Sequence, residues 1–294
     1  MNRLFRSLFF LAVLLACAIA PICAQEGPLE SAPPKNITPE EIIQRFATKE
    51  KEFKEARDQY TYRQDITVKT LDGSTTTGEY HEVFDVLFDD KGHRMENVVF
   101  APQSSLEQGG LSLDEGDVQD FRNRLPFVLT SDEIPEYNIL YVGQQQEDEL
   151  HCYVFDVAPK QFVGKKRYFQ GRIWVDDHDF QIVKTYGKAV PETRGKKGTE
   201  HLYPKFTTWR QQIDGKYWFP TYTRADDTLH FNLNDIHIRE IVKYEDYKRF
   251  GSSVKILYNG QEVEKANPQG QKQGQKPDQQ KPDTTQNPQP PPQK

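Results

Sequence analysis

A change of hydrophobic period is what most limits the folds open to this chain. Before residue 58 the apolar residues recur at helical spacing; from Tyr60 onward they alternate one in two. The helical stretch has a defined start. Thr38 can N-cap, Pro39 takes the first helical position, and Glu41 completes a capping box. Ile42, Phe46, Phe53 and Ala56, with Ile43 beside them, form the apolar stripe; Lys49, Glu50, Lys51, Lys54 and Glu55 fill the other side.

The alternating stretches come in series, separated by turn residues. Tyr60 to Val68 turns at Asp72-Gly73 into Tyr80 to Phe88, and Asp90-Lys91-Gly92 turns again into Met95 to Phe100. An interruption follows. Residues 101–112 read as loop, Ser112 and Glu115 form a second possible capping box, and Val118, Phe121 and Leu125 predict a short helix stopped by Pro126. The apolar run Pro126 to Leu129 must be buried or meet a ligand. Strands then resume: Tyr137–Gln144 with Leu150–Ala158, Arg167–Val175 with Phe180–Lys188, and His201–Ile213 with Tyr217–Arg224 around Asp214-Gly215. A last strand is expected over Leu229–Tyr244, and residues 191–199 as a basic loop. The expected fold is mainly β with a few helices (α+β), an up-and-down antiparallel sheet.

The ends differ from this middle. Arg3 and Arg6 precede an apolar run from Leu8 to Ile22, and Ala24 offers a small residue for cleavage, the pattern of a secretory signal peptide over residues 1–24. A rival stays open: Leu14-Leu15-Ala16-Cys17 is a lipobox, in which Cys17 would be lipid-anchored. Residues 25–37 read as a polar spacer, 38–258 as the β-rich domain, and 259–294 as a disordered tail too poor in apolar residues to offset its ordering entropy. The expected location is the periplasm or outside the cell. Net charge −6 argues against a nucleic-acid partner. Once the signal is removed Cys152 alone remains, so no disulfide framework is expected.

Motifs for chemistry are missing. There is no G-x-S-x-G elbow, catalytic cysteine signature, P-loop or dinucleotide fingerprint, so no enzyme activity and no cofactor are expected. Asp176-Asp177-His178-Asp179 could ligate a metal but sits where a tight turn is needed, and the turn is the expectation. His230 and His237, taken as one strand, would face opposite ways, and Asp226-Asp227 reads as a turn. The basic clusters Lys165-Lys166-Arg167 and Arg194 to Lys197 could meet an anionic headgroup or an acidic partner, or be solvated loops. Tyr217, Trp218 and Phe219 put aromatics on both faces of one strand, which suits a sheet covered on one side and partly buried on the other. Pro220 suggests a bulge or an edge.

One region carries a resemblance. Val157, Pro159 and Lys160, then Phe169, Gly171, Arg172, Trp174 and Asp176, and finally Ile182, Val183 and Lys184 follow a strand-and-hairpin pattern, and Trp218-Phe219-Pro220 a later element. The chain resembles the lipoprotein-carrier superfamily of LolA-like and LolB-like proteins, with RseB-type sensors as relatives. The resemblance implies a curved half-barrel sheet capped by helices, a hollow for acyl chains, and no catalytic residue. Apolar placement makes Phe46, Phe53, Phe84, Phe121, Phe127, Leu129, Trp174, Trp209 and Trp218 the candidate lining residues. The expected partner is a lipid or acylated protein, bound by a carrier or sensor. An envelope protein engaged through the basic loops or the tail, by a scaffold or interaction module, is the alternative.

Overall fold

The computed structural model describes residues 26–89, 93–113, 117–118, 129–164, 166–194, 200–249 and the strand residues 256–258 and 261–263. The predicted signal segment, the lipobox, the helix expected around Phe121, Phe127 and the polar tail apart from residues 261–263 lie outside the described residues.

Helix α1 (Pro39–Arg57) begins as its sequence dictates. Thr38 Oγ1 accepts from the Glu41 amide, and the Glu41 carboxylate accepts in turn from the Thr38 amide, so two orphan donors of the first turn are satisfied reciprocally. Next come β1 (Tyr60–Asp72), β2 (Thr75–Phe88) and β3 (Arg94–Phe100). Then follow β4 (Tyr137–Glu147), β5 (Leu150–Pro159), β6 (Tyr168–Asp176), β7 (Ile182–Val190) and two-residue strands β8 (Thr193–Arg194) and β9 (Glu200–His201). The series closes with β10 (Phe206–Ile213), β11 (Tyr217–His230) and β12 (Asp235–Arg249). A separate unit beginning at Ser253 holds a small hairpin of β13 (Ile256–Tyr258) and β14 (Gln261–Val263).

Ten of these strands form one open antiparallel sheet in the order β3-β2-β1-β12-β11-β10-β7-β6-β5-β4. The expected up-and-down pairing holds within two meanders. The chain runs outward from β1 to the β3 edge, crosses to the opposite edge at β4, and returns strand by strand until β12 lies beside β1. On the way it touches back on β2, where the Ser105 amide donates to the Glu79 carbonyl at 2.9 Å and Leu106 is buried against Ile66, Val68 and Phe84.

The turns follow local chemistry. Gly73 and the pair Asp214-Gly215 take positive φ, as tight hairpins require. The Asp176 carboxylate accepts from the His178 and Asp179 amides at 3.2 and 2.9 Å, which makes the acidic block a turn, as its position predicts. Two expectations are corrected at the end of the sheet. His230 ends β11 and His237 lies in β12, with a turn over 231–234 between them. Both flank buried residues, Leu229 and Ile236, and point away from the core. Asp226 and Asp227 lie inside β11 and make no turn. Arg224 and Arg239 neutralise Asp226, the His237 ring hydrogen-bonds to it, and Asp227 accepts from the Lys205 amide at 2.9 Å, so a strand can hold both.

The inner face of the sheet packs on α1. Ile42, Phe46 and Ala47 join Phe155, Val157, Phe169, Ile173 and Ile182, while Phe53 packs edge-on against Phe219 at 5.2 Å. Between these clusters a buried ion pair joins helix to sheet: Arg210 donates to both carboxylate oxygens of Glu50 at 2.7 and 3.2 Å and lies over the Phe53 ring at 5.1 Å. The Gly171–Gly187 pair of β6 and β7 is also needed here. A Cβ on Gly171 would sit 2.2 Å from the Tyr186 carbonyl and 2.5 Å from the Gly187 Cα, and the Phe169 ring covers the gap. Pro220 sits at a break in the β10–β11 register, as its ring predicts.

The outer face is also partly covered. Cys152, Val154, Trp174 and Val183 are buried there with Leu29, Val142 and Trp218. Leu29 belongs to the stretch read as a spacer. Glu26 and Glu30 bridge to Glu147 and Gln144, so residues 26–32 lie as a strap along β4. The aromatics on both faces of β11 follow from this: Phe219 faces α1, and Trp218 faces the outer cluster.

Candidate functional site

A hollow of about 950 Å³ opens on the outer face of β4–β7 and β10. Cross-strand register explains its walls. Leu140, Asp156, Arg172, Tyr186 and Thr207 form one row across five strands, all on the face opposite Phe155 and Ile173. Trp174, Lys184 and Trp209 form the next row. Leu140 and Tyr186 are unusually exposed for their types, at 65% and 45%.

Four of the lining residues are cations, Arg172, Lys184, Lys188 and Lys205, against two carboxylates, Glu26 and Asp156. The lining side chains alone carry a formal charge of +2, and two further carboxylates, Glu147 and Glu192, pair with Lys184 and Lys188. Arg172 forms a bidentate pair with Asp156 at 2.7 and 3.1 Å, and this bond raises the guanidinium's pKa. Lys188 pairs with Glu192 at 2.8 Å. Lys184 is buried. Its ammonium donates to Glu147 at 2.9 Å and to Glu26, and lies 4.5 Å above the Trp174 ring. Burial pushes the Glu147 carboxyl up, against the pull of Lys184, and its Oε1 has no partner among the described residues.

The candidate lining residues divide by position. Phe46 and Leu129 share the cluster under α1; Phe53 and Phe84 are fully buried in two further clusters. Trp174 and Trp218 meet in the outer cluster, and the Trp218 indole donates to Asp179 at 2.8 Å. Trp209 is 36% exposed beside Tyr222. Of the set, Trp174 alone lines the outer hollow. Toward the inner face a smaller hollow of about 80 Å³ lies among Val68, Leu229, Ile238 and Leu202. That is room for about three waters at ~30 Å³ each, far short of a long acyl chain.

Sequence reading missed the residues that shape the outer hollow. Leu140, Tyr186, Lys188 and Lys205 look like ordinary solvent-facing strand residues, and only the register shows that they face one another. Burial raises the Cys152 thiol well above its ordinary range, which keeps it protonated at neutral pH. No cluster of three or more His, Cys, Asp or Glu able to hold a metal occurs among the described residues, and no helix among them is long and apolar enough to cross a membrane.

Fold and site together define an open antiparallel sheet with helix α1 packed on one face and, on the other, a hollow walled by Trp174, Tyr186 and a set of paired cations and carboxylates. Among solved structures, the chain is similar to MucB in complex with MucA(peri), at 11% identity and a TM-score of 0.21, covering 71% of this chain and 99% of that one. It is similar also to the Pseudomonas aeruginosa MucA/MucB complex, at 11% identity and a TM-score of 0.20, covering 69% and 98%. At these scores the likeness carries no argument about function. No protein family and no curated protein matches the sequence.

Proposed function

We propose that this chain is an exported, non-catalytic binding protein of the cell envelope that holds an amphipathic anionic ligand, such as an acyl lipid or the acylated end of a protein, in the outer hollow. It acts as a carrier or a sensor. The observation behind this reading is the hollow of about 950 Å³, in which Trp174, Tyr186 and Leu140 supply apolar wall and Arg172, Lys184, Lys188 and Lys205 supply positive charge. Apolar contact shields hydrocarbon from water at roughly 0.8 kcal/mol per buried methylene, and the cations draw the headgroup.

Native mass spectrometry of the exported full chain, purified without detergent, tests it. The expected result is a co-purifying mass that extracts into chloroform, and that is lost when Lys188 and Lys205 are both changed to Glu. A clean unliganded mass, unchanged after incubation with anionic phospholipids and acylated peptides, overturns the reading. A second reading, an interaction module, draws on β3, where Met95, Val98, Val99 and Phe100 all stand about half exposed on an open sheet edge. Concentration-dependent association that Val99→Lys abolishes would favour it.

A further inference from the structure

The two edges of the sheet are treated differently. Edge β3 carries no further strand among the described residues, whereas edge β4 is occupied by the chain's own strap, residues 26–32. The seat for the strap is cut into the sheet. Three backbone bonds hold it: the Gly27 amide donates to the Gln146 carbonyl at 2.9 Å, the Glu30 amide to the Gln144 carbonyl at 2.8 Å, and the Gln144 amide back to Glu30 at 2.9 Å. Gly143 makes room. It lies at a register break in β4 with φ +149, and a Cβ there would sit 2.4 Å from the Glu30 carbonyl oxygen. The Gln145 side chain donates to the Gly27 carbonyl at 2.8 Å, and the Tyr141 hydroxyl to the Ala32 carbonyl at 2.8 Å.

Two side-chain positions complete the seat. One takes a carboxylate: Glu26 reaches the ammonium of Lys184, a cation held over Trp174 and only 6% exposed. The other takes an aliphatic group: Leu29 packs against the buried cluster of Cys152, Val154, Trp174 and Val183. The seat therefore reads a short extended peptide in three ways, by backbone, by charge and by an apolar side chain three residues further on. Its present occupant is held lightly. Its backbone ladder to β4 is three bonds long, and the Glu26 carboxylate is 62% exposed even in contact with Lys184. Backbone rails with side-chain pockets are the physical basis of recognition by strand addition.

We propose that the β4 edge is a strand-exchange site. The strap fills it in cis, and an extended segment of a partner protein, carrying a carboxylate and an aliphatic side chain three residues later, displaces it. The partner segment hydrogen-bonds to Gln144 and Gln146, seats its carboxylate on Lys184 and its aliphatic group against the cluster of Cys152, Val154, Trp174 and Val183. Release of the strap also removes Glu26 from the wall of the outer hollow, so exchange and ligand binding share Lys184. The site stands apart from the ligand reading, because its occupant is peptide and its readout is strand exchange.

The test uses the full mature chain and a fluorescent peptide with the strap's own sequence, EGPLESA. As an intramolecular competitor the strap acts at an effective concentration on the order of millimolar. Weakening it with Glu26→Gln and Leu29→Ala is therefore expected to tighten peptide binding at least ~10-fold over the unaltered chain. Adding Lys184→Gln to that variant, or replacing the peptide's leucine with alanine, is expected to erase the gain. Equal binding by the altered and unaltered chains, or a gain that survives Lys184→Gln, overturns the proposal. Hydrogen exchange on the unaltered chain decides the same point without a mutation. The Gly27 and Glu30 amides should exchange at least ~100-fold faster than those of Phe155 and Ile173, by local release of the strap. Equal protection would show a permanent strand, whatever the hollow binds.

Discussion

Charge reversal is not needed to unfasten α1 from the sheet; neutralising one group should do it. Glu50 and Arg210 are each 1% exposed at the side chain and bond through two contacts, at 2.7 and 3.2 Å. Removing one partner of such a pair leaves a buried charge and costs ~3–5 kcal/mol, whereas replacing both with apolar groups of similar volume is close to neutral. For a domain of this size that single loss lowers Tm by roughly 6–20 °C. The two single changes should differ. Burial depresses the pKa of nearby Arg57, with Arg210 adding to the effect and Glu50 opposing it. Glu50→Gln removes the carboxylate that Arg210 bonds twice, and a guanidinium cannot shed its charge, whereas a carboxyl group can take up a proton. The expected order of destabilisation is Glu50→Gln first, then Arg210→Met, then the double change Glu50→Leu with Arg210→Met. Urea midpoints for all four chains, with near-ultraviolet circular dichroism to confirm the native packing, measure it. A double variant as damaged as the sum of the singles would refute the reasoning, because the two groups would then be acting independently.

Other expectations can be checked on the same protein. Gly171→Ala should cost ~3 kcal/mol, since the added methyl meets backbone on β7 that cannot step aside, while Gly73→Ala, with open space around it but a positive φ, should cost ~1 kcal/mol. Thermal melts of the two variants compare them. Asp226 is held at about 2 by its bond to His237 first, with burial opposing, and then by its bonds to Arg224 and Arg239. A depressed carboxylate contributes stability above its unfolded pKa, and that contribution is lost as pH falls from ~4 toward ~2. Asp226→Asn should therefore lower Tm by a few degrees at pH 7 and by almost nothing at pH 2. The Cys152 thiol, buried and protonated, should react with a thiol reagent no faster than the domain opens, so its labelling rate should follow urea concentration; rapid labelling of the native chain would contradict its placement.

Much of the fold was legible because it rests on local signals. The Thr38–Glu41 box, the Asp-Gly turns and the alternation of β1 and β2 each act within a few residues, and each appears where the sequence puts it. The strand boundary at His230–Asp235 was missed for a physical reason. Asp226-Asp227 looks more like a turn than Asn232 to Asn234 does, until Arg239 arrives from β12 to neutralise Asp226 and His237 to hydrogen-bond to it. The strap was missed for a related one. Pro28, Glu30 and Ser31 look like a spacer, and only a sheet already folded offers Leu29 a pocket and Glu26 a buried lysine. The outer hollow depends wholly on which strands are neighbours. The candidate lining residues were chosen for being apolar, and the inner face gathers most of that kind into the core.

The pairing of β1 with β12 also sets an order of events. Thr61 and Lys248 are 187 residues apart in the chain yet bond across the middle of the sheet. A chain made or threaded N-terminus first exposes one whole side of β1 until the final strand emerges. The two meanders can form early, as hairpins closing over a few residues, but the seam between them waits for the end of synthesis. Loops this long slow the search for native contacts. The same delay keeps the chain open during any passage that requires an unfolded thread, and a chain cut short before residue 235 would be left with a three-stranded and a six-stranded piece, each with an unpaired edge where β12 belongs.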